Sequence, residues 1–285
     1  MKILLTGNTG QVGYELERSL QGLGEIVAVD RTRMDLANLD QVREVIRAVR
    51  PQLIVNPAAY TAVDKAESEP ELAYRVNAEA PALMAAEARA LGAALVHYST
   101  DYVFDGQSPE ARVETDPVAP LNVYGASKLA GEQAIAASGV PHLIFRTSWV
   151  YGMRGKNFLL TMLRLAKERG ELRIVDDQHG APTWSRTIAD TTALILAQAR
   201  AGGAGWWSEN GGIYHLSSQG RTTWCGFTAA ILEEAGIACK LVAITTDQYP
   251  LPAARPRYSA LDSNRLQERF VRLPAWRDAL RLCLR

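Results

Sequence analysis

The sequence has 285 residues, of which 47% are hydrophobic and 22% are charged, a balance typical of a globular protein with a sizeable core. Lys plus Arg and Asp plus Glu both count 31, so no basic excess indicates a nucleic-acid partner. The Ala-rich stretch 80–96 is interrupted by Glu87 and Arg89, and no uncharged apolar run is long enough to cross a bilayer. The N-terminal apolar run is too short for a secretion signal. We therefore expect a cytoplasmic protein that binds neither nucleic acid nor membranes.

Short apolar strands alternate with helical patterns along the first 200 residues. In chain order, strands are predicted at 2–6, 25–30, 53–59, 94–100, 142–150 and 172–177. Between and after them, helices are predicted at 11–20, 39–49, 70–91, 122–138, 157–168 and 186–200. Near-continuous Val, Ile and Leu strands separated by helices predict a parallel sheet buried on both faces, with right-handed crossovers. The predicted fold class is α/β, a doubly wound, Rossmann-like parallel sheet with a smaller C-terminal substrate lobe.

The pattern changes after about residue 200. The turn-rich stretch 201–212 is predicted to be a loop, followed by a strand at 212–218 and by helices near 224–236 and 274–284. We expect a dinucleotide-binding domain over 1–149, with later sheet elements at about 171–202 and 212–217. Residues 150–170 and 218–285 would form a substrate-binding lobe at the carboxyl ends of the strands, where open parallel sheets bind ligands.

A glycine-rich motif, TGNTGQVG at 6–13, lies between the first predicted strand and helix. Gly7 permits a tight turn, Gly10 lets the backbone approach a pyrophosphate, and Gly13 allows close contact between helix and strand. The helix that follows would offer free N–H groups and a partial positive charge to phosphates. A flexible turn before a helix explains the glycines equally well in isolation, but the position after the first strand favours a dinucleotide site.

An acidic residue, Asp30, ends the second predicted strand. A carboxylate at this point accepts hydrogen bonds from the adenine ribose of NADH, and the alternative is an Asp that caps a turn. The same carboxylate repels the 2′-phosphate of NADPH, whereas Arg31 can form a charge-assisted pair with that phosphate. We therefore expect NADPH and NADH to be used with similar efficiency.

Tyr124 and Lys128 lie one turn apart on a predicted helix, within YGASK. A nearby ammonium lowers the pKa of a phenol, so Lys128 is expected to make Tyr124 a better proton donor to a substrate carbonyl. The lysine can also bond a cofactor ribose. Just before this helix, a strand ends in Ser99 and Thr100, and a hydroxyl there can stabilise charge on the same carbonyl oxygen.

Taken together, TGxxGxxG, a Ser or Thr after the fourth strand, and YxxxK resemble the extended short-chain dehydrogenase/reductase superfamily. Longer strings resemble the dTDP-4-dehydrorhamnose reductase family within it, over the whole chain and most strongly over 1–183. These strings are VNPAAYTAVDKAES (55–68), HYSTDYVFDG (97–106), PLNVYGASKLAGE (120–132), FRTSWVYG (145–152), DDQHGAPT (176–183) and RPRYSALD (255–262).

The resemblance assigns roles to individual residues. It implies a catalytic set of Thr100, Tyr124 and Lys128, and substrate contacts from Thr100, Asp101, Tyr124 and Trp149, although Trp149 also fits a plain core aromatic. The cofactor would contact Gly7, Gly10, Gln11, Val12, Gly13, Asp30, Arg31, Asp35, Leu36, Ala59, Tyr60, Thr61, Tyr124 and Lys128.

A metal and a dimer are further implications of the resemblance, since some members dimerise through a divalent ion held by glutamates. Glu15 matches one such position, but it equally fits an exposed helix residue. Mg²⁺ is therefore an unassigned cofactor here, and a homodimer is an open prediction.

The predicted function is reduction by NADPH or NADH of the C4 keto group of a dTDP-linked 4-keto-6-deoxy sugar, dTDP-4-dehydro-L-rhamnose, to give dTDP-L-rhamnose. Two alternatives stay open at this point. One is a nucleotide-sugar epimerase or another reductase of the same superfamily. The other is a non-catalytic protein that resembles the regulatory subunit of methionine adenosyltransferase.

Overall fold

The computed structural model describes residues 1–203 and 205–285. A six-stranded parallel sheet with the order β2-β1-β3-β4-β5-β10 forms its centre. The strands of this sheet are β1 (Lys2–Thr6), β2 (Glu25–Val29), β3 (Leu53–Asn56), β4 (Ala94–Thr100), β5 (His142–Thr147) and β10 (Gly212–His215). The order reverses between β1 and β3, which creates the crevice where such sheets bind nucleotides. The doubly wound α/β fold predicted from the sequence is confirmed.

The described residues also contain twelve α-helices and six strands outside the large sheet. The helices are α1 (Gln11–Ser19), α2 (Leu39–Val49), α3 (Val63–Ala66), α4 (Pro70–Tyr74), α5 (Ala80–Leu91), α6 (Val123–Ser138), α7 (Phe158–Glu168), α8 (Ser185–Gly202), α9 (Trp206–Asn210), α10 (Trp224–Ala235), α11 (Asn264–Arg269) and α12 (Trp276–Leu284). The remaining strands are β6 (Val150–Tyr151), β7 (Glu171–Val175), β8 (His179–Gly180), β9 (Thr183–Trp184), β11 (Thr222–Thr223) and β12 (Lys240–Ile244).

Successive side chains along the buried strands point to opposite faces of the large sheet, so an apolar core forms on each face. Leu4, Ile54 and Leu95 face one core, which α2 and α5 cover, whereas Leu5 and Val55 face the other, which α1 and α8 cover. Burial on both faces leaves no polar face for these strands, which explains their continuous apolar sequences.

The strand predicted at 172–177 does not belong to the large sheet, so its expected place among the later sheet elements at about 171–202 is wrong. Residues Glu171–Val175 instead form β7, which pairs in parallel with β12 in a separate two-stranded sheet. The sequence analysis did not predict β12, so the large sheet was the only partner it offered for the strand predicted at 172–177. By contrast, α8 packs on α1, and β10 extends the large sheet as expected for 212–217.

The predicted helix 70–91 is interrupted by a π-helical turn at Arg75–Glu79. Pro81 carries no N–H to donate to the Asn77 carbonyl, so the regular ladder cannot continue there, and the turn widens. The widened turn lets α6 approach closely, because a Cβ at Gly131 would lie 2.2 Å from the Asn77 carbonyl oxygen.

Two predicted strands are shorter than expected, and in both cases the chain turns toward the edge of the sheet. The strand predicted at 53–59 ends at Asn56, before a proline that can make no ladder hydrogen bond. The strand predicted at 142–150 ends at Thr147, since Trp149 has φ +45° and redirects the chain into β6. Within the predicted loop 201–212, Trp206–Asn210 form a short helix, and residue 204 lies outside the described residues.

The C-terminal region has its own apolar core. It is built from α7, α10 and α12, with Phe227, Ile231 and Leu280 fully buried at its centre. Among the described residues, no helix combines the length and apolar character needed to span a membrane.

Candidate active site

A cleft of about 640 Å³ follows the carboxyl edge of the large sheet. It extends from Arg31 beyond β2, past the glycine-rich loop after β1, to Ser99 on β4 and Thr147 on β5. Of the residues predicted to bind a cofactor, it is lined by Gly7, Gly10, Gln11, Val12, Gly13, Arg31, Asp35, Leu36, Ala59, Tyr60, Thr61, Tyr124 and Lys128. The fold therefore brings residues from distant parts of the chain to one continuous surface.

The glycine-rich loop leaves no room for side chains at two of its positions. Gly7 has φ +57°, and a Cβ there would lie 2.9 Å from the Cβ of Ala58. A Cβ at Gly13 would lie 2.1 Å from the Gly7 carbonyl oxygen. The N-cap of α1 is Gly10, whose lack of a side chain leaves the first N–H groups of this helix facing the cleft. This arrangement suits the approach of a pyrophosphate to backbone N–H groups.

At the β2 end of the cleft, the loop 30–36 is organised by carboxylates. Asp30 Oδ1 accepts hydrogen bonds from the Thr32 hydroxyl at 2.6 Å and from the N–H groups of Thr32 and Arg33. These bonds lower the pKa of Asp30, and the residue is not part of the cleft lining. Arg31 does line the cleft and pairs with Asp35 at 3.2 Å. Asp30 thus caps a turn, and the pair of Arg31 and Asp35 supplies the charged groups that line this end of the cleft.

The chain after β3 forms the floor of the cleft with Ala59, Tyr60 and Thr61. Asn77 fixes this segment, since its Oδ1 accepts from the Tyr60 N–H at 2.8 Å and its Nδ2 donates to the Tyr60 carbonyl at 3.0 Å. The Tyr60 hydroxyl donates to Glu69 at 2.8 Å, and burial together with this carboxylate raises the pKa of Tyr60 to about 12. These hydrogen bonds hold the segment in place, and Tyr60 does not titrate near neutral pH.

Tyr124 and Lys128 lie on α6, which begins with Asn122 as its side-chain cap. Lys128 is buried, and its Nζ donates to the Tyr98 carbonyl at 2.6 Å and lies 3.0 Å from His97 Nε2. Burial lowers the pKa of Lys128 to about 8. Burial also raises the pKa of Tyr124 to about 12, with a smaller opposing effect of the Thr100 hydroxyl. The prediction that Lys128 lowers the pKa of Tyr124 is wrong for this structure, because burial dominates and Lys128 is bonded elsewhere.

Thr100 and Asp101 form a buried pair at the end of β4. The Thr100 hydroxyl donates to Asp101 Oδ1 at 3.0 Å and accepts from the Tyr102 N–H. Asp101 Oδ2 is buried without a hydrogen-bond partner among the described residues. Burial raises the pKa of Asp101 to about 7, although the nearby hydroxyls of Ser259 and Thr100 oppose this shift. Neither Thr100 nor Asp101 is among the residues that line the cleft of 640 Å³.

Trp149 is placed by backbone geometry that few tryptophans adopt. Its φ of +45° is in the left-handed region, and its ring stacks on Trp224 with centroids 3.5 Å apart. The indole also lies close to Gly180, where a Cβ would be 2.5 Å from the ring. Trp149 therefore joins the large sheet to α10 and is not part of the cleft lining.

Among the other residues that line the cleft, Ser99 was left open as an alternative to Thr100 by the sequence analysis, and Thr147, Gly155 and Lys156 were missed. Ser99 Oγ and Thr147 Oγ1 are buried there without a hydrogen-bond partner in the described part of the chain. Gly155 and Lys156 approach from the loop after β6, which Asn157 ties to Gln11 through a hydrogen bond of 2.9 Å. The Gly-rich, basic string GMRGKN was a signal for this loop, but nothing in the sequence placed it opposite α1.

The Mg²⁺ that the sequence left unassigned finds no site in the described part of the structure. Within residues 1–203 and 205–285, no group of three or more His, Cys, Asp or Glu side chains is arranged to hold an ion. Glu15 lies partly buried on α1, near Cys283. We therefore assign no role to a metal.

Comparison with known proteins agrees with this geometry. The sequence model of the family described as RmlD substrate binding domain matches residues 1–285. The chain is 50% identical over 297 residues to a dTDP-4-dehydrorhamnose reductase from Burkholderia thailandensis, covering 100% of this chain and 98% of the relative. It is 48% identical over 295 residues to the enzyme of that name from Escherichia coli, covering 100% and 97%.

Solved structures show the same likeness. The crystal structure of a dTDP-4-dehydrorhamnose reductase from Clostridium acetobutylicum superposes with a TM-score of 0.91 at 36% identity, covering 100% of this chain and 98% of that one. The enzyme of that name from Bacillus anthracis, solved in complex with NADP, gives a TM-score of 0.90 at 37% identity, covering 99% and 98%. The chain belongs to the dTDP-4-dehydrorhamnose reductase family of the extended short-chain dehydrogenase/reductase superfamily.

Proposed function

We propose that this protein catalyses the NAD(P)H-dependent reduction of the C4 keto group of dTDP-4-dehydro-L-rhamnose to give dTDP-L-rhamnose. The observation that carries the proposal is that Tyr124 and Lys128 line the same cleft as the glycine-rich loop at 6–13. A cofactor extended along this cleft would place its nicotinamide beside a phenol, which is what carbonyl reduction with proton transfer needs.

The residues present fit a nicotinamide dinucleotide. Gly7 and Gly13 leave room only for backbone, so a pyrophosphate can reach the N-terminus of α1. Arg31 would face the adenosine end, and the unpartnered hydroxyls of Ser99 and Thr147 would bond polar groups at the nicotinamide end. When bound, the reduced nicotinamide supplies the hydride.

In this proposal Tyr124 supplies the proton. Its raised pKa of about 12 keeps the phenol protonated at neutral pH, as a proton donor must be. The Thr100 hydroxyl would bond the same carbonyl oxygen once Asp101 is protonated, because a protonated carboxyl can donate to Thr100 and free its hydrogen. The pKa of Asp101 near 7 makes this arrangement accessible at physiological pH.

The nucleotide sugar would be held by the C-terminal region, which we propose comprises 150–170 and 218–285. Trp149 would lie against the sugar, and Asp101 would bond one of its hydroxyls. Binding energy from the remote thymidine diphosphate can position the small keto sugar for reaction. A homodimer and a cytoplasmic location also stay predictions, and light scattering of the purified protein tests the first.

Two alternatives are less well supported. A nucleotide-sugar epimerase shares the fold, as shown by a Thermus thermophilus UDP-glucose 4-epimerase with a TM-score of 0.81, but its 22% identity indicates the fold alone. A regulatory, non-catalytic role would not require Tyr124 and Lys128 to line the same cleft as the glycine-rich loop. The relatives near 50% identity favour the reductase.

An assay of cofactor oxidation distinguishes these functions. The purified protein is mixed with NADPH or NADH and the dTDP-linked 4-keto sugar, and the loss of the reduced cofactor is followed by absorbance. The proposal expects oxidation that depends on the nucleotide sugar and does not occur with the free keto sugar. Conversion of UDP-glucose without net cofactor oxidation would instead identify an epimerase, and no turnover of any of these compounds would overturn the proposal.

A further inference from the structure

A row of polar side chains interrupts the apolar core beneath Lys128. Thr6 on β1, Asn56 on β3 and His97 on β4 occupy neighbouring strands on the face that α6 covers, and each is at most 1% exposed. On the same face, the residues two positions earlier are Leu4, Ile54 and Leu95, which are all core residues. Polar groups so deeply buried destabilise the fold unless they are hydrogen-bonded, so their partners need to be identified.

The row forms one continuous chain of hydrogen bonds that ends at Lys128. The Thr6 hydroxyl lies 2.6 Å from Asn56 Oδ1, and Asn56 Nδ2 lies 3.1 Å from His97 Nδ1. His97 Nε2 is 3.0 Å from Lys128 Nζ. The distance of 2.6 Å between Thr6 and Asn56 is typical of an O–H···O bond. The amide oxygen of Asn56 therefore faces Thr6, and its amide nitrogen faces His97.

The protons in this chain can be assigned from donors and acceptors. An amide NH₂ can only donate, so His97 Nδ1 accepts from Asn56. Burial lowers the pKa of His97 well below its usual value, so the imidazole is neutral, and its one proton is on Nε2 because Nδ1 accepts. This N–H points at Lys128 Nζ. An ammonium has only donors, so the uncharged amine is the form that can accept this bond.

We propose that His97 is a positioning residue for Lys128: oriented by Asn56 and Thr6, its Nε2–H stabilises the uncharged amine of Lys128 relative to the ammonium. The role of Lys128 in turnover rests on the proposed function, whereas its charge state can be measured without turnover. For the ammonium to be favoured, the Asn56 amide would have to rotate so that its oxygen accepts from Nδ1–H. The distance of 2.6 Å between Thr6 Oγ1 and the amide oxygen opposes that rotation, because a bond from an amide nitrogen to this hydroxyl would be longer.

Other titratable groups around Lys128 act differently. Glu132, one turn further along α6, raises the pKa of Lys128, but its carboxylate is paired with Arg146 on β5 at 2.7 Å. Tyr98 on β4 and Tyr124 on α6 are held neutral near pH 7 by burial, whereas Asp101, directly after β4, has a pKa of about 7 and is about half ionised there. The lowered pKa of Lys128, about 8, agrees in direction with an environment that favours the amine.

The consequence for the reaction is a lysine whose charge changes near neutral pH. For a lysine that gives up its proton during turnover, the amine left behind is the form that His97 stabilises. The hydrogen-bond chain ends at buried Thr6, so it adjusts the Lys128 charge but offers no route by which a proton reaches solvent.

The test measures the Lys128 titration directly. The protein contains six lysines, so the ¹³Cε signals of labelled lysine can be followed with pH, and Lys128 is assigned by its loss in Lys128→Met. In the wild type its midpoint should lie well below those of the other five. Thr6→Val, which touches no atom of Lys128, should raise the midpoint by ~0.5–1 pH unit through the hydrogen-bond chain. His97→Gln, whose side-chain oxygen can accept from the ammonium, should raise it further.

Thr228→Val is the matched control, since Thr228 is a fully buried threonine whose hydroxyl bonds the Trp224 carbonyl in the C-terminal region. In Thr228→Val the titration midpoint of Lys128 should equal that of the wild type.

The alkaline limb of the pH profile of kcat/KM should move to higher pH in Thr6→Val and His97→Gln, together with the Lys128 midpoint. An unchanged or lower Lys128 midpoint in folded Thr6→Val overturns the inference, and so does an equal shift in Thr228→Val. If the titration moves as expected but no reductase activity is found, the proposed function fails and the inference about Lys128 stands.

Discussion

Tyr124 lies partly buried in the lining of the cleft, and desolvation raises its pKa to about 12, which keeps the phenol protonated at neutral pH. Removing its oxygen in Tyr124→Phe should lower kcat by ~10²–10⁴-fold, the usual contribution of a general acid, with cofactor affinity nearly unchanged. Steady-state kinetics and fluorescence titration with NADPH measure both quantities. Tyr151→Phe is the control, because Tyr151 is a fully buried tyrosine whose hydroxyl has no partner among the described residues. Equal kcat values for wild type and Tyr124→Phe would remove the assignment.

Asp101 makes the stability of the protein depend on pH. Its pKa in the folded protein, about 7, is above the ordinary value, so folded Asp101 binds its proton more tightly than unfolded Asp101. Its favourable contribution is complete below the ordinary pKa and is lost as the pH rises through 7. Asp101→Asn cannot ionise, so its free energy of unfolding relative to the wild type should increase by about 2–3 kcal/mol between pH 5 and pH 8.

Urea denaturation of both proteins across that pH range measures this difference. A relative stability that stays constant with pH would mean that Asp101 is ionised throughout, and the proposed protonated carboxyl beside Thr100 would then be ruled out.

The choice between NADPH and NADH depends on which charges in the loop 30–36 reach the 2′ position of the adenine ribose. Arg31 lines the cleft, whereas Asp30 faces its own turn, so the expected repulsion by Asp30 is weaker in the structure than the sequence implied. Arg31→Ala should therefore lower kcat/KM for NADPH about tenfold relative to NADH, a loss of about 1.4 kcal/mol. Arg33→Ala, which changes an exposed arginine outside the cleft lining, should leave the ratio unchanged. Identical ratios in wild type and Arg31→Ala would show that another residue reads the 2′ position.

At the scale of elements, the contact between the glycine-rich loop and α1 decides whether the phosphate site exists. A methyl group at Gly13 would overlap the Gly7 carbonyl, so Gly13→Ala must push the loop away from the helix. We expect NADPH affinity to fall by roughly 100-fold or more, since the phosphate bonds need close backbone approach. Calorimetric titration measures the affinity, and Gly22→Ala, at a glycine with open space around it in the described structure, should bind as the wild type does. Retained affinity in Gly13→Ala would place the pyrophosphate elsewhere.

For the whole molecule, an ion pair joins the C-terminal region to the segment after β3. Arg255 Nη1 and Nη2 bond the two oxygens of Asp64 at 2.6 and 2.7 Å, and Asn122 Nδ2 donates to the neighbouring Ala254 carbonyl. Asp64→Asn weakens this forked pair and should raise KM for the nucleotide sugar about tenfold, while the affinity for NADPH stays unchanged. Glu233→Gln, which alters an exposed pair with Arg277 inside the C-terminal region, should change neither constant. A parallel loss of NADPH affinity in Asp64→Asn would contradict the proposed division of binding between the two regions.

The sequence predicted those parts of the site that depend on local spacing. The YxxxK spacing placed Tyr124 and Lys128 on one helix face, and the glycine spacing placed a turn before α1; both elements are present in the structure. It could not predict the partners of Lys128, because His97 is 31 residues away and reads in the sequence as one more residue of a buried strand. It likewise gave Asp30 two interpretations, and only the folded loop shows the carboxylate bonded to Thr32 and Arg33.

Strand identity was determined by the sequence alone wherever burial on both faces forces a continuous apolar run, as at 94–100. Register and partnership were decided by the tertiary structure: β7 looked like a strand of the large sheet but pairs with β12, because a strand pattern specifies which faces are buried and not which edge it meets. The charge of Lys128 was likewise decided by the tertiary structure. The residue types at 6, 56, 97 and 128 are plain in the sequence, but their effect on one another depends on burial and on distances near 3 Å that only the assembled sheet and helix create.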